Sequence, residues 1–336
     1  MAFTFERLEW NSFVWRSPGE FEDRLVLQTR EWLSFIAAAY GATPVICSVL
    51  EGGERVGFFT GLFTRRFGIR ILGSPMPGWT TPYIGFNLAE DISRSQVLDA
   101  FLPYAHSTLG CAHVEVRDRL LPLESTGNGR VAWEPYETLE LDLEPDEDEL
   151  FGRMTSACRR AIRKAEKVGV TMEEASDAGF ADDYYEQLKD VFAKQSLSPK
   201  YSVATVRALI EHVYPTGNVL LLRARSAEGE SIATGIFPGL NKTAYFWGGA
   251  SWREHQILRP NEAMFWYAMR YWKSRGATAM DLGAGEYKRK YGVRDVTVPH
   301  VVSSRLPGLR TMRRLAKVMY SSERLRRVAR VPTRSR

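Results

Sequence analysis

Cysteine is scarce in this chain: Cys47, Cys111 and Cys158 are the only three in 336 residues. They are far apart, odd in number and without a CxxC pair. That pattern excludes a disulfide framework and a thiolate zinc site, and it suits a reducing compartment. The five histidines have no ligand spacing, and HExxH, GxSxG, a P-loop and a dinucleotide fingerprint are all missing. No run approaches the roughly 18 to 20 apolar residues that cross a bilayer. The opening MAFTFERLEWNSF carries acids and no apolar h-region, so it does not read as a secretory signal. Heptad runs are absent too, which excludes a coiled-coil arm. The expected address is the cytoplasm.

Bulk composition is that of a globular protein, with 44% hydrophobic and 25% charged residues. The length suits two domains, each able to bury a core. Charge is unevenly placed. Residues 305–336 hold eleven Lys/Arg against one acid, Glu323, a net +10; the whole chain is +5, so residues 1–304 carry −5. The basic pI belongs to the tail, which is expected to be dispensable for folding and able to meet anionic membrane at its inner face.

Patterning predicts a helix from about Phe21 to Tyr40, then PVICSVL, the turn EGGE, RVGFFTGLF and GIRIL as strands. A Gly/Pro-rich loop follows, then a helix over 92–109 and the strand CAHVEVR. After YETLELDL the order recurs: helices over 147–168, 180–195 and 203–214, three strands, the helix NEAMFWYAMRYWKSRG and the strand TAMDLGAG. Glu51-Gly52-Gly53-Glu54 in the first half corresponds to Glu228-Gly229-Glu230 in the second. An internal duplication is the simplest explanation.

Three places carry possible chemistry. The helix over 147–168 has an apolar face and a stripe of Arg160, Arg163, Lys164 and Lys167. Such a stripe either grips phosphates or is a solvated face complementing the helix dipole. The loop WREHQILRP leads into a helix beginning near Pro260 and Asn261, a junction that binds anions or simply joins strand to helix. The strand MDLGAG breaks into EYKRKYG, where Lys288, Arg289 and Lys290 stabilise an oxyanion or phosphate, or form a surface charge run. Asp281, at the end of that strand, is a base or a buried paired carboxylate.

SACRRAIRKAEKVGV at 156–170, FAKQSLSPKY at 192–201 and the stretch from GGASWREHQ to YKRKYG at 248–292 resemble the FemAB-like branch of the GNAT acyltransferase superfamily. QTREWLSF at 28–35 and GSPMPGWTT at 73–81 extend the resemblance into the first half. It implies an α/β (α+β) fold of tandem GNAT-like domains, each a mixed, mostly antiparallel sheet with flanking helices. It also implies transfer of an acyl or aminoacyl group onto an amine. By this resemblance Lys194 and Tyr201 contact the acceptor and Lys290 lies near the attacked carbonyl, with Tyr287 in the family's aromatic position. The pyrophosphate loop departs from the acetyl-CoA enzymes in having no glycine.

The expected organisation is an N-terminal GNAT-like domain over 1–140, a C-terminal one over 141–304 and the tail. The expected activity moves an acyl group from a thioester, acyl-CoA as co-substrate, to an amine. The acceptor is small or lipid-linked, on a cell-envelope or polysaccharide precursor. Alternatives are an aminoacyl-tRNA-dependent transferase of peptidoglycan-bridge type and a non-catalytic envelope-associated binding protein. Catalytic candidates are Lys290 and Asp281. Substrate-binding candidates are Lys194, Tyr201, Arg163, Lys164, Arg259, Asn261 and Tyr287. No metal or permanently bound cofactor is expected.

Overall fold

The computed structural model describes residues 2–11, 23–66, 68–123, 131–193, 197–305 and 308. Lys194 and the tail beyond 308 lie outside these residues, so the expectations placed on them do too.

The first half runs β1 (Phe3–Arg7), α1 (Arg30–Tyr40), β2 (Thr43–Glu51), β3 (Glu54–Arg66), β4 (Ile69–Ser74), β5 (Phe86–Leu88), α2 (Arg94–Ser107) and β6 (His113–Arg117). Next come β7 (Val131–Asp142), α3 (Glu147–Arg153), α4 (Ser156–Lys167), β8 (Thr171–Glu174), α5 (Phe180–Ala193) and α6 (Val203–Val213). The second half ends with β9 (Val219–Arg225), β10 (Ser231–Leu240), β11 (Thr243–Tyr245), β12 (Gly248–Ser251), α7 (Pro260–Ser274), β13 (Ala279–Asp281) and β14 (Arg294–Ser304).

Local chemistry sets these bounds. The β2–β3 turn has Gly52 and Gly53 at φ 59° and 91°, the left-handed pair that matches strand twist in a tight hairpin. The first helix is shorter than the pattern predicts. The Thr29 hydroxyl accepts the Trp32 N–H at 3.2 Å, so α1 starts at Arg30, and Gly41 at φ 64° ends it. The predicted helix over 147–168 is two. Met154 and Thr155 are extended, and the Thr155 hydroxyl caps α4 by accepting the Cys158 N–H.

One sheet joins the halves in the order β1-β2-β3-β4-β6-β14-β7-β13-β11-β10-β9-β8. The duplication is explicit in the pairing. β3 pairs with β4 through Leu62–Arg66 and with β5 through Gly57–Phe59; β10 pairs with β11 through its end and with β12 through Ala233–Ile236. In each half the first segment of this interrupted strand also pairs in parallel with the strand after the helix, β4 with β6 and β11 with β13. The second segment has no such partner among the described residues, so each half contains a split between two strands.

β7 and β14 knit the halves, β14 lying between β6 and β7. The expected boundary at 140/141 therefore falls inside a strand. Helices α2, and α4 with α7, cover separate parts of the sheet over their own cores. A third core draws on α1, α5 and α6 and spans both halves.

Candidate active site

In the second half the split opens after one last backbone bond, Phe246 N–H to Asp281 O at 2.8 Å. Beyond it β12 stays with β10 while the other chain turns through Leu282–Gly285. Strands that part leave carbonyls without ladder partners, and something must satisfy them. Lys288 does. Its ammonium donates to the Leu282 carbonyl and to the Ala284 carbonyl, the latter at 2.9 Å, and lies 5.0 Å from the Phe246 ring centre. Lys288 is only 6% exposed, and burial pushes its pKa down from 10.5 to about 8, with Asp281 opposing the shift. An ammonium has three N–H donors, so one remains without a partner among the described residues.

Lys288 sits on a 3₁₀ turn, Glu286–Tyr291, whose period of three buries Lys288 and Tyr291 together. The turn is fixed from behind. The Lys290 carbonyl accepts the Thr155 N–H at 2.9 Å. Gly292 approaches so closely that a Cβ would stand 2.9 Å from the Arg153 carbonyl.

The opposite wall is aromatic. Tyr184 and Tyr201 share a hydroxyl–hydroxyl bond of 2.6 Å, and the Tyr201 ring lies 5.0 Å from that of Trp247. Burial pushes the Tyr201 phenol up to about 12, so at neutral pH it offers a neutral hydroxyl. A Cβ on Gly248 would overlap the Tyr184 oxygen, so glycine lets these phenols reach the strand backbone. Tyr287 is 61% exposed at the rim, and its ring lies 5.5 Å from the Lys288 ammonium.

The other expected residues are distributed differently. Lys290 pairs with Glu262 at 2.7 Å, beside the start of α7, and not at the split. Asp281 is buried beneath the Leu282–Gly285 turn, accepting the Gly283 N–H at 2.7 Å. At the start of α7 the Asn261 amide donates to the Ser251 hydroxyl at 3.0 Å, and Arg259 precedes Pro260 in a left-handed conformation at φ 62°. Arg163 and Lys164 are exposed on α4, Arg163 lying over the Phe151 ring at 5.2 Å. Tyr201, Tyr287 and Asp281 are thus brought to the split, whereas Lys290, Asn261 and Arg259 gather at the α7 entrance.

The first-half split is filled by protein. Gln28 donates to the Ile84 and Phe86 carbonyls at 2.9 and 2.8 Å, and Asp118 accepts the Phe86 N–H at 2.7 Å. Arg94 pairs with Asp118 at 3.0 Å, closing the opening. Among the described residues, only the second split presents an ammonium donor beside aromatic side chains.

This geometry is that of a duplicated fold with one split filled by protein and one that holds Lys288. Residues 152–291 match the family described as Acetyltransferase (GNAT) domain. Among solved structures, FemX aligns over 88% of this chain and 96% of its own, at TM-score 0.68 and 14% identity. L-PGS from Bacillus licheniformis aligns over 83% and 88%, at TM-score 0.50 and 14% identity. A tandem GNAT protein from the clavulanic acid biosynthesis pathway aligns over 91% and 99%, at TM-score 0.50 and 12% identity. No curated protein matches the sequence. The FemAB-like GNAT resemblance and the tandem mixed fold read from the sequence are borne out.

Proposed function

We propose that the second-half split performs direct acyl transfer from a thioester or ester to an amine, with Lys288 in the role expected of Lys290. The carrying observation is a buried ammonium, held by two carbonyls, with one N–H left for a third oxygen. The acceptor nitrogen attacks the donor carbonyl carbon, and negative charge develops on the carbonyl oxygen. Lys288 stabilises that oxygen by a charge-assisted bond in a water-poor setting. The carbon–sulfur or carbon–oxygen bond of the donor then breaks as the carbonyl reforms, and the amine proton leaves to the departing group or water. Tyr184, Tyr201 and Tyr287 shape the side from which the amine enters. The acceptor amine is read as part of a cell-envelope or polysaccharide precursor.

Acyl-CoA is the first donor reading. One observation speaks against it and keeps aminoacyl-tRNA as the second reading. Pro260 lacks an N–H at the first position of α7, and the Glu262 carboxylate occupies that helix start with Lys290. A carboxylate there opposes a pyrophosphate. A thermal-shift series with acetyl-CoA, longer acyl-CoAs and tRNA separates the donors, since a ligand that binds only the native state raises Tm by mass action. Stabilisation by at least one of them is expected. No shift with any, at saturating concentration, would contradict the transferase reading.

A further inference from the structure

Behind the Lys288 turn lies a polar cluster that neither half builds alone. Tyr83 comes from the loop before β5, Thr138 and Glu140 from β7, Tyr245 from β11 and Asp281 from β13. Tyr83, Tyr245 and Asp281 are each no more than 3% exposed. Tyr245 and Asp281 are register neighbours on parallel strands, and the Tyr83 and Tyr245 ring centres are 5.9 Å apart. Asp281 Oδ1 accepts the Gly283 N–H and the Thr138 hydroxyl. Asp281 Oδ2 and both phenol oxygens are buried without a hydrogen-bond partner among the described residues. One such group left unsatisfied costs about 1–3 kcal/mol. Three side by side in a core are partners for one another, directly or through one water.

The consequence reaches Lys288. The two carbonyls that hold its ammonium belong to Leu282 and Ala284, the residues flanking Gly283, whose N–H Asp281 fixes. The charged groups acting on Asp281 and Lys288 are few. Arg119 is held by Glu140, itself bound by Arg294 at 2.6 Å. The phenols of Tyr83, Tyr136 and Tyr245 also face Asp281 and are neutral at ordinary pH, burial having raised all three.

We propose that Asp281 is a positioning residue for Lys288: it shapes the turn that holds the ammonium and supplies the buried negative charge opposite it, while Tyr83 of the other half binds its second oxygen. The first half thereby sets the charge state of a group in the second. This inference rests on Lys288 being the ammonium of the site, and it holds or fails without reference to any donor. Burial favours neutral Lys288, and Asp281 is the group that opposes burial. Burial also disfavours the Asp281 carboxylate, while the Thr138 and Gly283 donors favour it.

The test is a pH titration of Lys288 by NMR of the full chain labelled at the lysine ε-carbons, the signal assigned with Lys288→Arg. A midpoint near 8 is expected in the wild type. Asp281→Asn keeps an acceptor for Gly283 but removes the charge, and is expected to increase the Lys288 acid dissociation constant about tenfold. Tyr83→Phe is expected to increase it by a smaller factor, about two- to threefold. Midpoints unchanged in Asp281→Asn overturn the proposal. Should that variant not fold, Tyr83→Phe decides, and an unchanged midpoint there overturns it. Shifted midpoints with undiminished turnover in Lys288→Met would uphold the coupling and remove the catalytic reading instead.

Discussion

Lys288 is a residue whose burial costs the fold something. Its pKa is lowered from 10.5 to about 8 by desolvation. The ammonium is thus the form present below about pH 8 in the folded chain, but up to about 10.4 in the unfolded one. Between those values the unfolded chain binds the extra proton, so this group makes stability rise with pH across that window. Below it the full desolvation cost remains. Lys288→Met removes that dependence. Urea unfolding at about pH 7.5 and about pH 10 is therefore expected to show the wild type gaining on the variant as pH rises. An unchanged difference between the two pH values would place Lys288 in water.

Among the elements, β12 and the 3₁₀ turn matter most, because close backbone approach fixes both. Gly248→Ala would drive a methyl into the Tyr184 hydroxyl, and Tyr184 is fully buried and cannot swing away. The phenol pair must shift, so KM for the amine acceptor is expected to rise about tenfold, with Tm lowered by a few degrees. An unchanged KM would detach the phenols from acceptor binding. The strands and the split were largely legible, because alternating patterns, Gly-rich turns and the GAG break are local signals. The division of the 147–168 helix was not, since its apolar face runs through Leu150, Met154, Cys158 and Ile162 without interruption, and Thr155 breaks it by capping. Choosing between Lys288 and Lys290 needed the turn's period. On a 3₁₀ turn Lys288 shares a side with Tyr291, and a charge run read as a flat string hides that period of three. Tyr184 and Gly248 were invisible for another reason: they meet from elements far apart in the chain. The tyrosine reads as an ordinary apolar position of α5.

At the scale of the whole molecule, β14 inserts between β6 and β7, so each half's sheet is continuous with the other's. A buried Glu115 on β6 pairs with His113 at 3.1 Å and with His300 on β14 at 2.8 Å, adding a polar lock to that pairing. The Arg305 N–H still bonds the Ala112 carbonyl at 2.9 Å. A chain ending at Arg305 is accordingly expected to melt in one transition, with fluorescence and far-UV circular dichroism coinciding. Two separated transitions would make the halves independent. The duplicated fold supplies two splits, one filled by Gln28, Asp118 and Arg94 and one holding Lys288, and the chemistry is proposed for the second. The most direct measurement is turnover of Lys288→Met beside Lys290→Met, using the donor that stabilises the protein and a labelled acyl group. Loss of one oxyanion donor costs roughly 100- to 1000-fold in kcat, so that loss is expected for Lys288→Met, with Lys290→Met retaining about a tenth or more of wild-type turnover. Lys288→Met within about threefold of wild type would contradict the assignment.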